Sequence, residues 1–295
     1  MDRRIKFRHL DAFSAIARAL SLKRAAEQLS LTQPAISRTL KELEEIVGAP
    51  LMERSRAGVR LTPQGEIFLQ FAEQSTAALR HGLRSVRDDK ATAGRLRIGA
   101  LPSVASGLVV GAVRAFLPQH PDTILHVEEG THEALTGRLR SGQLDLVLGR
   151  LGHPEAMNGL TFRQLHSEED YVACRSDSQE EEVRSFEDLH GFRVLYPPKA
   201  SAIRPLIARM LIARSVPLFH NRIETASSSF GRAMILADPD LVWFISRGVI
   251  ADDLATGRMV ALDLDTRETI GSVGIISRAE EVPSSAARAF LRCVS

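Results

Sequence analysis

Apolar residues recur at helical spacing through the first ninety or so positions, then give way to short apolar runs separated by helical stretches. Phe7, Leu10, Phe13, Ala17 and Leu20 share one face of a first helix. The stretch SLKRAAEQLSLTQPAISRTLKELEEIV, residues 21–47, reads as two short helices around a tight turn. Leu22, Ala25, Ala26 and Leu29 mark the first, and the alanine pair leaves room for another helix to pack closely. After the break at residues 30–32, Thr32 is placed to cap the second helix. Pro34 fits inside its first turn, where a missing N–H costs nothing. Ile36, Leu40, Leu43 and Val47 then form one apolar stripe. Residues 51–54 and 58–61 read as two short strands, with Ala57-Gly58 supplying the turn. Thr62-Pro63 opens a long helix running to about Val86. Phe68, Ala72, Ser75, Leu79, Gly82 and Val86 form a heptad-like seam on it, which a head this small cannot bury alone. A second copy of the helix is the expected cover. Residues 88–94 read as a hinge.

From residue 95 the period changes. Strand-like runs at 96–100, 124–127 and 144–148 alternate with helical stretches at 106–116 and 131–140. This βαβαβ order implies parallel strands joined by right-handed crossovers. Further strands are expected at 171–174, 193–196, 222–224, 242–245 and 273–276, and helices at 202–214, 230–236 and 284–291. The acidic run Glu180-Glu181-Glu182 reads as a solvated loop.

Charge changes the picture of the first part. The whole chain of 295 residues carries a formal charge of only +2, yet residues 1–62 hold twelve Lys/Arg against seven Asp/Glu. A basic head on a slightly acidic body suits a phosphate-binding module carried by a separate body. On the face of the second helix opposite its apolar stripe stand Gln33, Ser37, Arg38 and Lys41. Gln can bridge the major-groove edge of adenine and Arg that of guanine, while a helix start favours phosphate. Together with Thr32 and Pro34 these residues describe a recognition helix. Arg54, Arg56 and Arg60 crowd the hairpin and make it a wing that rests on phosphate or in a minor groove.

In the body, ligands are expected beyond the carboxyl ends of the strands, where helix starts supply N–H groups. Three corners qualify: Ser103 after the first strand, Thr131 after the second, and Arg150 after the third, whose guanidinium matches a carboxylate. Ser201 and Ser227-Ser228-Ser229 precede later helices and are candidates for the same cleft. Cys174 and Cys293 offer neither a disulfide framework nor a zinc set and read as reduced thiols. With no apolar signal segment and no run long enough to span a bilayer, the expected location is the cytoplasm, away from membranes. No metal-binding, nucleophile-elbow or phosphate-loop motif is present, so no cofactor, no metal and no enzymatic activity are expected. An enzyme or solute-binding protein built on the two-lobed body is the rival class.

The segment 21–65 resembles the N-terminal helix-turn-helix of LysR-type transcriptional regulators. The likeness runs through Ala25-Ala26, Leu29, Gln33-Pro34-Ala35, Ser37, Leu43-Glu44, Gly48, Leu51, Glu53-Arg54, Leu61-Thr62 and Gly65. Lys23 departs from the Ser or Thr usual there, leaving Ser21 as substitute cap and Lys23 as a phosphate contact. The resemblance implies a winged helix-turn-helix over 1–62, a linker helix and hinge over 63–93, and an α/β two-lobed effector domain over 94–295. That effector domain would share the fold of periplasmic binding proteins, with one lobe about 94–165 plus 268–295 and the other about 166–267. In the family the positions of Ser103 and Thr131 commonly touch the effector. The runs ALPSVA, EGTHEALTGRLRSGQLDLVLGR, ASAIRPLIARMLIARSVP, IETASSSFGRA and VWFISRGVI are similar to the branch that regulates protocatechuate catabolism. That branch implies an activator answering to a carboxymuconate-type acid, with promoter DNA, further copies of itself in a tetramer, and RNA polymerase as partners. Residues 175–180 replace the Pro-Gly-His-Pro-Leu turn usual in the branch, so a family member answering to another organic acid, a sugar or a redox signal stays open.

Overall fold

The computed structural model describes residues 4–55, 58–88, 94–178, 183–279 and 281–294. The chain divides into two compact units, Met1–Ala91 with Arg140–Gln143, and Thr92–Leu139 with Leu144–Ser295.

The first unit packs α1 (Phe7–Ala19), α2 (Leu22–Gln28), α3 (Gln33–Val47), the strands β1 (Met52–Ser55) and β2 (Gly58–Leu61), and α4 (Pro63–Asp88). The apolar stripes meet in one core of Ala12, Phe13, Ile16, Ala25, Ile36, Leu43, Leu51 and Ala72, with Phe68 edge-on to Phe13 at 5.4 Å. Three local devices fix the strands against the helices. The Glu44 carboxylate accepts from the backbone N–H of Leu51 (2.8 Å) and Met52 (3.1 Å), tying the end of α3 to β1. Thr62 Oγ1 donates to the Pro50 carbonyl (2.8 Å) and accepts from Gly65 N (2.9 Å), so it caps α4 while holding the preceding strand. Gly65 is required by a close approach: a Cβ there would stand 1.9 Å from the Leu51 carbonyl oxygen.

The long helix differs from its expected seam. Phe68 and Ala72 turn into the head's own core. Arg18 with Glu73 (2.9 Å) and Arg80 with Asp11 (2.6 Å) lock α4 onto α1. Among the described residues of α4 the large apolar side chains left exposed are Ile67, Phe71, Leu79 and Leu83. One helix serves two faces: the inward stripe takes Phe68 and Ala72 from the expected seam, while Ser75, Leu79 and Gly82 stay exposed.

The second unit holds two five-stranded sheets. One has the order β4-β3-β5-β12-β6, from β3 (Arg95–Ala100), β4 (Ile124–Glu129), β5 (Leu146–Arg150), β6 (Leu160–Glu168) and β12 (Gly271–Arg278). Here β3, β4 and β5 are parallel and β12 runs antiparallel to β5 and β6. The other has the order β11-β7-β10-β8-β9, from β7 (Asp170–Arg175), β8 (Arg193–Tyr196), β9 (Arg222–Glu224), β10 (Leu241–Ser246) and β11 (Met259–Ala261). All five residues of β5 are buried, as expected for a parallel strand covered on both faces. The chain crosses between sheets twice, at Glu168–Asp170 and again between β11 and β12. Helices cover the sheets: α5 (Pro102–Val104) running through a π turn into α6 (Val110–Phe116), α7 (His132–Arg140), α8 (Arg204–Ala213), α9 (Ser228–Ala237), α10 (Arg247–Ala255) and α11 (Ser285–Cys293).

The acidic run 180–182 and most of the hinge, 89–93, lie outside the described residues. Among the described residues no helix is long and apolar enough to cross a membrane.

Candidate DNA interface and ligand cavity

In the head, α3 begins as its sequence requires. Thr32 Oγ1 accepts from Ala35 N (3.4 Å), and Pro34 occupies the first turn. Ile36, Leu40 and Leu43 are buried beneath it. Gln33, Pro34, Arg38 and Lys41 are exposed and Ser37 is half-buried, so the polar side chains nearest the helix start form one accessible face. Lys41 pairs with Glu45 at 3.7 Å, one turn on, with both groups exposed. Ser21 Oγ accepts from Arg24 N (3.4 Å) and caps α2, which leaves Lys23 exposed in that helix's first turn. In the hairpin, Arg54 lies opposite Val59 and the exposed Arg60 opposite Glu53. Arg56 lies outside the described residues. The face therefore presents cations and amide groups from α2, α3 and β2, the chemistry that phosphate and base edges select.

In the second unit a cavity of about 350 Å³ lies beyond the carboxyl ends of the parallel strands of both sheets. Its wall includes Leu101, Pro102 and Ser103 after β3, Glu129–His132 after β4, and Arg150 at the end of β5. From the other sheet come Pro197, residues 200–203, residues 225–228, and Trp243–Ser246. Such a volume holds a small organic molecule. Helices start around it. Thr131 Oγ1 accepts from Ala134 N (3.4 Å) at the start of α7, and Ser227 Oγ from Phe230 N (3.2 Å) at the start of α9. Of the candidates, Ser103, Thr131, Arg150, Ser201 and Ser228 line this cavity, while the exposed Ser229 does not. The Ser229 hydroxyl lies 3.1 Å from that of Ser227, which does line it. None of Arg175–Ser178, where the usual turn is replaced, belongs to the wall.

Arg150 is the residue whose setting the sequence could not show. It is 2% exposed, and its guanidinium already has partners. One Nη donates to Asp170 Oδ1 at 2.6 Å and stands 3.9 Å from Glu168 Oε2; the other donates to the Thr269 carbonyl at 3.2 Å. Asp170 also accepts from Ser246 Oγ (2.7 Å), and Glu168 Oε1 accepts from Gly248 N (2.6 Å). Burial pushes the carboxyl of Asp170 up to about 6 against the opposing pull of Arg150, and burial raises Glu168 as well. Asp170, Glu168, Ser246 and Thr269 were missed in the sequence. Their one legible signal is an acidic run, Glu168-Glu169-Asp170, leading straight into the buried strand β7.

A capped helix-turn-helix with a basic wing, in one chain with an α/β body that encloses a ligand-sized cavity, defines a DNA-binding regulator of transcription with its own small-molecule site. The chain belongs to the LysR family of such regulators. Residues 7–66 match the bacterial regulatory helix-turn-helix of the lysR family, and residues 89–295 match the LysR substrate binding domain. The chain is 40% identical over 287 residues to the transcriptional regulator PcaQ of Agrobacterium fabrum, spanning 96% of this chain and 92% of that protein. It is 32% identical over 296 residues to the regulator YdcI of Escherichia coli, covering 99% and 96%. Full-length OxyR from Pseudomonas aeruginosa shares the fold with a TM-score of 0.64 at 22% identity, over 98% of this chain and 94% of that one. CbnR in complex with its target DNA shares it at 0.53 and 23%, over 98% of each.

Proposed function

We propose that the protein activates transcription in response to a small, multiply carboxylated intermediate of aromatic catabolism, a carboxymuconate or a close analogue. The carrying observation is the cavity, ringed by helix starts and the hydroxyls of Ser103, Thr131, Ser201 and Ser228, a setting that favours anionic oxygen. The likeness to PcaQ supports the choice of pathway. Residues 1–62 bind the promoter, with Gln33, Ser37 and Arg38 reading bases, and Lys23, Thr32, Pro34, Lys41, Arg54, Arg56 and Arg60 holding the backbone. The linker of residues 63–93 pairs two heads through the exposed Ile67, Phe71, Leu79 and Leu83 face, and the bodies of residues 94–295 join dimers into a tetramer. The assembly acts in the cytoplasm, in contact with RNA polymerase. An acid that prefers one arrangement of the two lobes shifts the spacing of the heads.

A thermal-shift series with mono-, di- and tricarboxylic acids tests the effector. At a hundredfold excess over its dissociation constant a true effector stabilises the body by about 2.7 kcal/mol. That gain is expected to shrink in the double variant Ser103→Ala, Thr131→Ala. Equal shifts in variant and parent would move the site elsewhere.

A further inference from the structure

Arg150 lines the cavity, but Asp170 lies one layer behind it. Its side chain is bonded to two donors that do line it, Arg150 at 2.6 Å and the Ser246 hydroxyl at 2.7 Å. Glu168 is the second carboxylate near the same guanidinium. With both acids ionised, this buried group carries one positive charge and two negative ones. Arg150 Nε, Asp170 Oδ2 and Glu168 Oε2 have no hydrogen-bond partner among the described residues, so the group has donor and acceptor capacity to spare. A further carboxylate drawn to Arg150 would therefore meet net negative charge, unless one of the two acids were neutral.

We propose that Asp170 is a built-in stand-in for the effector's carboxylate: it holds Arg150 while the cavity is empty, and takes up a proton when an incoming acid engages Arg150 in its place. This rests on the cavity being an acid site. The effector enters as its anion, the proton comes from solvent, and no covalent bond beyond that O–H is made or broken. Burial already raises Asp170 to about 6, so it is ionised in the empty cavity but takes up a proton at lower cost than an ordinary carboxylate would. The other charged groups facing the pair are Glu169 beside it, whose Oε1 accepts from the Thr266 hydroxyl, and His166 and Arg247, which act on Glu168. His132, from α7, lines the same cavity.

The exchange would be felt at both chain crossings. Asp170 opens the second sheet at the first crossing, and its backbone N–H donates to Thr269 Oγ1 at 3.0 Å. Thr269 lies on the return path to β12 and also accepts from Arg150 through its carbonyl at 3.2 Å. Releasing Asp170 from Arg150 thus loosens one of the ties between the two sheets at the place where the chain passes from one to the other.

The test is calorimetric titration of the full chain with 3-carboxy-cis,cis-muconate at pH 7.5, in phosphate and in Tris, buffers of very different ionisation heat. The proposal expects uptake of about one proton per site, and an affinity rising up to about tenfold for each pH unit lowered between 8 and 6. In Asp170→Asn the uptake should vanish and the affinity become flat in pH. A substitution that only loosened the fold would weaken binding and keep the slope. Binding with equal heats in both buffers overturns the stand-in role and leaves the effector reading in place. No binding at any pH from 5.5 to 8 overturns both. Loss of uptake in Glu168→Gln but not in Asp170→Asn moves the proton to Glu168 and removes Asp170 from the role. Should Asp170→Asn fail to fold, Glu168→Gln decides in its place: uptake retained there supports Asp170, and uptake lost there removes Asp170 from the role.

Discussion

Replacing Arg150 with Leu removes the one guanidinium bonded to Asp170 among the described residues while keeping an apolar side chain in the wall. Asp170 and Glu168 stay behind, 1% and 8% exposed in their side chains, without their shared cation. Breaking a buried ion pair from one side costs about 3–5 kcal/mol, because a charge is left uncompensated. Domain stabilities of roughly 5–15 kcal/mol make that a large fraction. The loss should depend on pH, with a definite sign. In the parent, burial holds Asp170 at about 6, above its ordinary 3.8. Its contribution is thus fully favourable below about 4 and is lost as pH rises through 6, a swing of about 3 kcal/mol. Without Arg150 the folded carboxyl rises further. The penalty of the substitution is then greatest near pH 8 and shrinks as the pH falls through 6, where the lone acids can be neutral. Urea unfolding followed by fluorescence reads this directly, since Trp243 is the sole tryptophan and is buried in this unit. A loss that stays constant from pH 5 to pH 8, or one below about 1 kcal/mol throughout, would refute the reasoning.

Three further outcomes are expected. Arg38→Ala should weaken specific relative to non-specific DNA binding by about 1–3 kcal/mol in a gel-shift titration, and equal losses on both would remove it from base reading. Phe71→Glu places a charge in the exposed apolar face of α4 and should split the proposed tetramer into dimers joined by the bodies in sedimentation at micromolar concentration, while an unchanged mass would clear that face of any pairing role. Gly65→Ala forces a methyl against the Leu51 carbonyl and should destabilise the head by several kcal/mol in thermal unfolding. A head that melts like the parent would mean the start of α4 yields easily.

Much of the fold could be read from the sequence, and the gaps have physical causes. Helices α1 to α4 and the wing followed from caps, stripes and turn residues. Strand β6 was missed because its alternation breaks: Leu160 and Phe162 share one phase, but a register shift against Val273 and Gly274 leaves Leu165 outside the pairing and reverses the phase after it. Strand β11 (Met259–Ala261) was missed as well. Helix α10 was missed because a fully buried acid, Asp253, sits among its apolar residues, neutralised by Arg232 and Arg258 at 2.7 Å each. No spacing rule anticipates Arg232, 21 residues away, or Arg258 beyond the end of the helix. The same limit applies in the cavity. Strand ends and helix starts pointed to Ser103, Thr131 and Arg150, yet the acids that neutralise Arg150 come from the crossing 168–170, which is visible only once the two sheets are assembled.

The claim on which the rest depends is that the basic head reads specific duplex DNA under the control of the cavity. The most direct measurement is the affinity of the full chain for the DNA upstream of its own coding sequence and for a scrambled duplex, across 50–300 mM salt, with and without 3-carboxy-cis,cis-muconate. The account predicts a steep salt dependence on both, a preference for the native sequence of about a thousandfold or more, and a protected region that changes length or bend when the acid is added. Equal affinities for the two duplexes at every salt concentration, with no response to the acid, would contradict it.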